Sequence, residues 1–123
     1  MTDVRHTAGQ QGEEYAAQHF LWLGCEILAR NHRTRFGELD LVVFDPETRT
    51  LIFVEVKTRR SDDREPWENL HERKRAQVRD LAKAYLSEVR DRPYYRCIRF
   101  DGVAILVDSR GELLNLQHIE AAF

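Results

Sequence analysis

The chain has 123 residues, of which 42% are hydrophobic and 33% are charged, a mixture that favours one globular domain over residues 1–123 and excludes a disordered chain. Nineteen Lys and Arg residues against 21 Asp and Glu residues give a net charge of −2, so the overall charge does not mark a nucleic-acid-binding protein. No apolar run is long enough for a transmembrane helix and no export signal is visible, so we expect a cytoplasmic protein that does not enter a membrane.

The first half of the chain predicts one helix followed by three strands. Apolar residues recur at three-to-four-residue spacing over residues 8–23, and Gly24 follows as a stop signal, which is typical of a helix. The three predicted strands cover residues 25–30, 39–44 and 51–56. The third is the most apolar run of the protein and is hydrophobic on both faces up to Glu55, which predicts a central strand covered on both sides.

The second half predicts a long helix and a final pair of strands. Residues 69–90 carry an apolar stripe that ends at Arg92-Pro93, which indicates a helix. Strands are predicted at residues 97–107 and 112–116. The order α-β-β-β-α-β-β predicts an α/β fold, with a mixed β-sheet flanked by helices.

Two acids and a lysine are the strongest candidates for chemistry. Glu55 and Lys57 are two residues apart on one strand and therefore project from the same face. If the second and third predicted strands pair as a hairpin, Asp40 lies close to Glu55. Glu55 and Lys57 could equally form a surface salt bridge, but their position at the end of the most buried strand favours a site.

Clustered carboxylates repel one another unless one takes up a proton or both bind a cation. Oxygen ligands suit Mg²⁺ or Mn²⁺, so Asp40 and Glu55 are predicted metal ligands. Such a metal polarises a phosphoryl oxygen and activates a bound water, as phosphodiester hydrolysis requires. Lys57 is predicted to act as a fixed positive charge beside the phosphate rather than as a base.

Residues on both predicted helices point toward the same place. Glu13 is in register with the apolar stripe of the first helix and is either a further acid of the site or a first-turn glutamate favoured by the helix dipole. Glu14, one step round the helix, is the alternative acid. Lys74 falls on the apolar stripe of the long helix, where it either contacts phosphate or extends its ammonium to solvent. Both interpretations remain open for each residue.

Basic residues flank the candidate acids in three runs. Phosphate-backbone binding needs such a local excess of positive charge, although single members of a run are usually only solvated. The predicted nucleic-acid contacts are Arg33, Arg35, Arg59, Arg60, Lys74 and Arg75.

Several motifs together resemble the YraN-like family of predicted bacterial endonucleases. They are Gly12-Glu13 with Ala16, Asn31-x-Arg33, Gly37-Glu38-Leu39-Asp40-Leu41, the run Phe53–Arg59, Lys74, and Arg99-Phe100-Asp101. The resemblance implies the restriction-endonuclease-like fold of PD-(D/E)XK nucleases and a relation to archaeal Holliday-junction resolvases. By resemblance, Asp40 and Glu55 are metal ligands, Lys57 is the catalytic lysine, and Glu13 is a supporting helical acid. Leu39 stands where the motif's proline would be.

The leading hypothesis is therefore a Mg²⁺-dependent endonuclease acting on DNA, with branched DNA as a candidate substrate. A catalytically weak nucleic-acid-binding accessory module of the same fold is the alternative, and a structural protein with merely paired acids is the third. A homodimer is a further expectation, with the apolar segment 121–123 as a contact. The sequence has no phosphate-binding loop, no serine-hydrolase elbow and no histidine metal motif, and Cys25 and Cys97 are expected to be reduced core thiols.

Overall fold

A computed structural model describes residues 4–62 and 72–123, with side chains for residues 10–62 and 76–123. The elements are helix α1 (Val4–Trp22), strands β1 (Glu26–Thr34), β2 (Gly37–Asp45) and β3 (Thr50–Arg60), helix α2 (Glu72–Glu88), and strands β4 (Cys97–Val107) and β5 (Leu113–Ile119). The predicted element order and the α/β class with a mixed sheet flanked by helices are confirmed.

One sheet holds the five strands in the order β1-β2-β3-β4-β5. Strand β3 is its centre, antiparallel to β2 and parallel to β4, which confirms the predicted central strand. A parallel pair needs a long crossover connection, and the chain segment that carries α2 supplies it between β3 and β4. Strands β1 and β5 form the two antiparallel edges.

Each face of the sheet carries its own hydrophobic core, because successive strand residues point to opposite faces. On β3, Ile52 and Val54 belong to the cluster that packs under α1, together with buried Ala16, Ala17 and Phe20 of that helix. Leu51 and Phe53 belong to the second cluster, which includes the α2 residues Val78, Leu81, Ala82 and Tyr85. The sheet is therefore covered on both sides where β3 is most apolar.

The strands extend further than the apolar pattern predicts. Strand β1 continues to Thr34 through a polar stretch that contains Asn31 at φ 51°, and β3 continues to Arg60. The end of β3 remains in the sheet because its parallel ladder with β4 runs to the pair Arg60–Val107. Strand pairing overrides local polarity there. Residues 69–71 of the predicted second helix lie outside the described residues.

Helix α1 approaches β3 most closely at Gly12. A Cβ atom at this position would overlap Thr58 Oγ1, so glycine is required for the observed distance between helix and strand. The next residue along the helix is Glu13, and the close approach brings it beside the sheet. In the described part of the chain, neither helix has the length and apolarity that crossing a bilayer would take.

Candidate active site

Three acids gather at the start of β2. One carboxylate oxygen from each of Glu13, Glu38 and Asp40 lies within 4.8 Å of the others. Helix α1 supplies Glu13, while Glu38 and Asp40 share one face of β2 because they are two residues apart. Glu13 and Asp40 are half-buried and Glu38 is exposed, so the cluster is open to solvent on one side. Carboxylate oxygens at this spacing fit the oxygen coordination that Mg²⁺ and Mn²⁺ prefer.

Asp40 also connects this cluster to β3. Its Oδ2 accepts a hydrogen bond of 2.7 Å from the backbone N–H of Val56. The regular β2–β3 ladder ends at the pair Leu41–Val54, so the side chain of Asp40 continues the connection where the backbone pairing stops. Because Val56 stands between Glu55 and Lys57, the Asp40 carboxylate is held next to the backbone that carries both. The hairpin predicted for these two strands is confirmed.

Glu55 and Lys57 line the same shallow depression, as their spacing on one strand predicts. Glu55 is buried, with 8% of its surface exposed, whereas Lys57 is exposed. Both follow Leu51 and Phe53 in the alternation of β3 and therefore belong to the face of the sheet that α2 covers. The lysine is thus presented to solvent beside a buried acid.

The three-acid cluster contains Asp40 and Glu13 but not Glu55. Joint metal binding by Asp40 and Glu55 stays a prediction. Glu38 is the residue that sequence reasoning missed, although it stands in the quoted run from Gly37 to Leu41. Glu38 and Asp40 are two residues apart on β2, just as Glu55 and Lys57 are on β3. The same spacing argument, applied to β2, would have placed Glu38 beside Asp40.

The predicted nucleic-acid-binding arginines occupy three different surroundings. Arg33 is largely exposed and its Nη2 lies 3.7 Å from Glu38 Oε2, so it reaches the acid cluster. Arg35, in the turn between β1 and β2, stacks on the ring of Phe36, with its Cζ 4.7 Å from the ring centroid. Arg60 pairs with Asp62 at 2.9 Å.

The other three predicted contacts are Arg59 on β3 and Lys74 and Arg75 on α2. Arg59 is next to Arg60 at the end of β3, and alternation directs it to the opposite face, which it shares with Lys57. Lys74 and Arg75 belong to α2, but their side chains lie outside the described residues. The structure therefore brings Arg33 to the acids and Arg59 to the face of the lysine.

Comparison with known proteins identifies the family. A model of the uncharacterised protein family UPF0102, the YraN family, matches residues 12–105. This chain belongs to UPF0102. It is 43% identical to a UPF0102 protein of Pelotomaculum thermopropionicum, with all of both chains covered. A UPF0102 protein of Acidothermus cellulolyticus is 47% identical, covering 98% of this chain and 96% of the relative. The resemblance to the YraN-like family is therefore confirmed.

A second buried acid of this UPF0102 protein has a different environment. Asp101 is fully buried and accepts two hydrogen bonds of 2.8 Å from Arg99, one of 2.7 Å from His118 Nε2 and one of 3.1 Å from the backbone N–H of Ala121. Burial alone would raise the pKa of Asp101, but the hydrogen bonds from His118, Arg99 and Ala121 outweigh it and hold the pKa below its usual range. The hydrogen bonds of this carboxylate join β4 to β5 and to the segment that follows β5.

The two cysteines differ from the expectation that both are core thiols. Both are free, but only Cys25 is buried, whereas Cys97 is exposed at the start of β4. Burial raises the pKa of the Cys25 thiol, which keeps it in the unreactive protonated form. The prediction was wrong for Cys97 because β4 begins with Cys97 and Ile98, which are both exposed.

Proposed function

We propose that this UPF0102 protein is a metal-dependent nuclease that hydrolyses phosphodiester bonds of DNA. The observation that supports it is the position of Asp40. Its carboxylate shares a cluster with Glu13 and Glu38, and it is bonded to the strand residue between Glu55 and Lys57. Acids that can hold a divalent cation and a lysine that can contact phosphate are thus carried by linked stretches of β2 and β3.

The acid cluster fits the metal. Glu13, Glu38 and Asp40 would hold Mg²⁺ or Mn²⁺ through one carboxylate oxygen each. A bound divalent cation polarises a phosphoryl oxygen and supplies an activated water at neutral pH. Because the three carboxylates repel one another, binding of the ion lowers the electrostatic free energy of the cluster.

The protein residues supply binding and orientation. The Lys57 ammonium is exposed on β3, one residue beyond the Val56 N–H that donates to Asp40, where it can neutralise charge that develops on the phosphate in the transition state. Glu55, buried beside it, can accept a hydrogen bond from a water and orient that water. Asp40 keeps the two strands together through Val56, so the spacing between cluster and lysine is fixed.

The arginines would bind the nucleic-acid backbone. Arg33 and Arg35 extend from one side of the acid cluster and Arg59 and Arg60 from the end of β3, while Lys74 and Arg75 are proposed contacts from α2. Contacts of this kind release counterions, so binding should weaken as salt rises. Branched DNA is the first substrate to test because of the resemblance to junction resolvases, and a homodimer is part of the same proposal.

A catalytically weak nucleic-acid-binding module is the second candidate. The observation that favours it is that Glu55, the acid expected to share the metal with Asp40, is not a member of the three-acid cluster. Such a module would keep the arginine contacts and the fold without an efficient hydrolytic step.

Cleavage assays distinguish the two candidates. Flap, four-way-junction and single-stranded DNA are incubated with Mg²⁺ or Mn²⁺ and with wild type, Asp40→Ala, Glu55→Ala or Lys57→Ala. Glu14→Ala is the matched control, because Glu14 is the neighbour of Glu13 but pairs with Arg30 at 2.6 Å on the exposed side of α1. We expect wild type and Glu14→Ala to cut and the three site variants to lose on the order of 100-fold or more in rate.

Other outcomes assign the protein differently. Binding of DNA by all variants without cutting by wild type would support the accessory module. The proposed site would be contradicted if wild type still cuts after the metal is chelated and the Asp40→Ala variant still cuts in its presence. If wild type neither binds nor cuts nucleic acid, the acids are structural.

A further inference from the structure

The depression that holds Glu55 and Lys57 has an apolar wall on its other side. Its lining comprises Glu55, Lys57, Gly102, Val103, Ala104, Ile119, Ala122 and Phe123. Apart from the acid and the lysine, these side chains carry no polar atoms. The depression is shallow, with about 40 Å³ of room. That is too little for a whole nucleobase or a whole sugar ring and enough for the edge of one.

Strand β4 makes the room for this wall. In the parallel ladder, Gly102 is the partner of Glu55 and Ala104 the partner of Lys57, so the two smallest side chains stand beside the acid and the lysine. The segment after β5 folds onto this strand. A Cβ atom at Gly102 would lie 3.4 Å from Ala122 Cβ and 3.5 Å from the Phe123 ring, which is ordinary contact distance, so the segment packs directly against this strand.

Backbone hydrogen bonds hold the segment in place. The N–H of Ala122 donates to the carbonyl of Phe100 at 2.8 Å, and the N–H of Ala121 donates to the buried Asp101 carboxylate at 3.1 Å. Arg79 of α2 donates to the backbone oxygen of Phe123 at 3.4 Å. The ring of Phe123 is therefore fixed by packing and by its supporting network, as a substrate-contacting wall needs to be.

We propose that this depression receives the 2′ edge of the sugar of the nucleotide whose phosphate contacts Lys57, and that the wall of Ile119, Ala122 and Phe123 selects deoxyribose over ribose. The inference rests on the proposed nuclease function and specifies its substrate. In a nucleic acid the group bonded to a phosphate is a sugar, so an apolar surface next to a phosphate-binding lysine meets a sugar first.

The selectivity follows from the chemistry of the wall. Deoxyribose offers a CH₂ group at the 2′ position, which packs against carbon without loss. Ribose offers a hydroxyl, which is both donor and acceptor and would lose its water against the carbon atoms of Phe123 and Ile119, which offer it no partner. Apolar pockets discriminate against an added hydroxyl by up to about 100-fold, so we expect a preference for DNA of that order or less.

The test compares matched strands of DNA, RNA and 2′-fluoro RNA. Cleavage and anisotropy-detected binding are measured for wild type, Phe123→Ala and Phe123→Leu. Trp22→Ala is the control, because Trp22 is an aromatic residue exposed at the end of α1 and does not line the depression. Unfolding curves for each variant show whether the fold is retained.

We expect wild type and Trp22→Ala to prefer DNA over RNA by roughly 10- to 100-fold, with 2′-fluoro RNA close to DNA because it lacks the hydroxyl. Phe123→Leu should keep most of this preference, and Phe123→Ala should reduce it several-fold because water can then reach the 2′ position. Phe123→Ala should lower the ratio of the DNA cleavage rate to the RNA cleavage rate, and not merely lower both rates equally.

Three results would overturn the inference while leaving the nuclease intact. They are equal use of DNA and RNA by wild type, an unchanged ratio in a folded Phe123→Ala variant, and rejection of 2′-fluoro RNA as strong as that of RNA. If wild type binds but does not cut, the nuclease proposal fails and the same ratios measured by binding still decide the role of the wall. Failure to bind any of the three strands contradicts both.

Discussion

Two aspartates on the strands that flank β3, Asp40 of β2 and Asp101 of β4, have opposite surroundings. Asp101 is fully buried, and its neighbours are Arg99, His118 and a backbone N–H, all of which donate to it. Asp40 is half-buried, and two further acids lie within 4.8 Å of it. Asp101 is thus surrounded by hydrogen-bond donors, whereas Asp40 is surrounded by other carboxylates.

The difference separates a structural acid from a candidate functional one. A buried charge that is matched inside the protein stabilises a particular arrangement of chain segments, here β4 with the segment after β5. A group of acids raises the free energy of the protein until a cation or a proton neutralises it. Substitutions in the two regions should therefore move stability by different amounts and in different directions.

The largest effect is expected at Asp101. Asp101→Ala should lower the free energy of unfolding by about 3 kcal/mol, because Arg99 and His118 would lose the carboxylate that they face. Urea denaturation measures the loss. Glu38→Ala, which removes an exposed acid from the cluster, should change the same quantity by less than about 0.5 kcal/mol. A larger loss for Glu38→Ala than for Asp101→Ala would mean that the distinction between the two regions is wrong.

Gly12→Ala should have the next largest effect. Its Cβ would overlap Thr58 Oγ1 and push α1 away from β3, so we expect a loss of about 1–3 kcal/mol in the free energy of unfolding, as for other overpacked sites. The shift would also move Glu13 away from the acid cluster. In a Thr58→Gly background the same substitution should cost much less, and equal losses in both backgrounds would exclude the contact as the cause.

Divalent cations should stabilise the acid region and leave the Asp101 region unaffected. Mg²⁺ or Mn²⁺ at ten times its dissociation constant adds about 1.4 kcal/mol to the free energy of unfolding, a rise of several degrees in Tm. Thermal unfolding with and without the ion measures it. The rise should shrink in Glu38→Gln and Asp40→Asn and persist in Glu14→Gln. An equal rise in all four proteins would place the ion elsewhere.

The smallest effect is a pH dependence at the Asp101 network. His19 Nε2 lies 3.0 Å from His118 Nδ1, and burial followed by the nearby His118 lowers the pKa of His19. As pH falls past about 6.5, the unfolded chain takes up the proton first, so the free energy of unfolding decreases between neutral and mildly acidic pH.

The Asp101 carboxylate contributes in a different range, because its lowered pKa means that its stabilisation is lost only under more strongly acidic conditions. His19→Gln should flatten the dependence between about pH 7 and pH 5, the range in which an ordinary histidine titrates, as followed by denaturation at each pH. His32→Gln, at a histidine that pairs with Glu88, is the control. Identical slopes in wild type and His19→Gln would remove His19 from the explanation.

The alternation of apolar residues in strands and their periodicity in helices were sufficient to predict the fold and to place Glu55 and Lys57 together. The run from Leu51 to Glu55 predicts a covered central strand, and the spacing of Glu55 and Lys57 places both in one depression, as observed. These features could be predicted because they depend on local geometry that a strand imposes on any sequence.

The rest depends on contacts between residues far apart in the chain. Asp101 becomes a structural acid only because β4 meets His118 of β5, and Phe123 becomes part of the depression only because the last segment folds onto Gly102. The apolar residues 121–123, expected at a subunit contact, pack on the protein's own sheet. Glu38 could have been found by alternation, but the approach of Glu13 to it depends on how closely α1 packs.

The parallel pairing of β3 with β4 also sets the order in which the molecule can assemble. The hairpin of β2 and β3 joins residues close in the chain, whereas the partners Thr50 and Cys97 are separated by the whole crossover that carries α2. Contacts between distant residues form slowly because the intervening loop must first be closed. We therefore expect the hairpin of β2 and β3, which carries Asp40, Glu55 and Lys57, to form in a folding chain before Phe123 reaches its position beside β4.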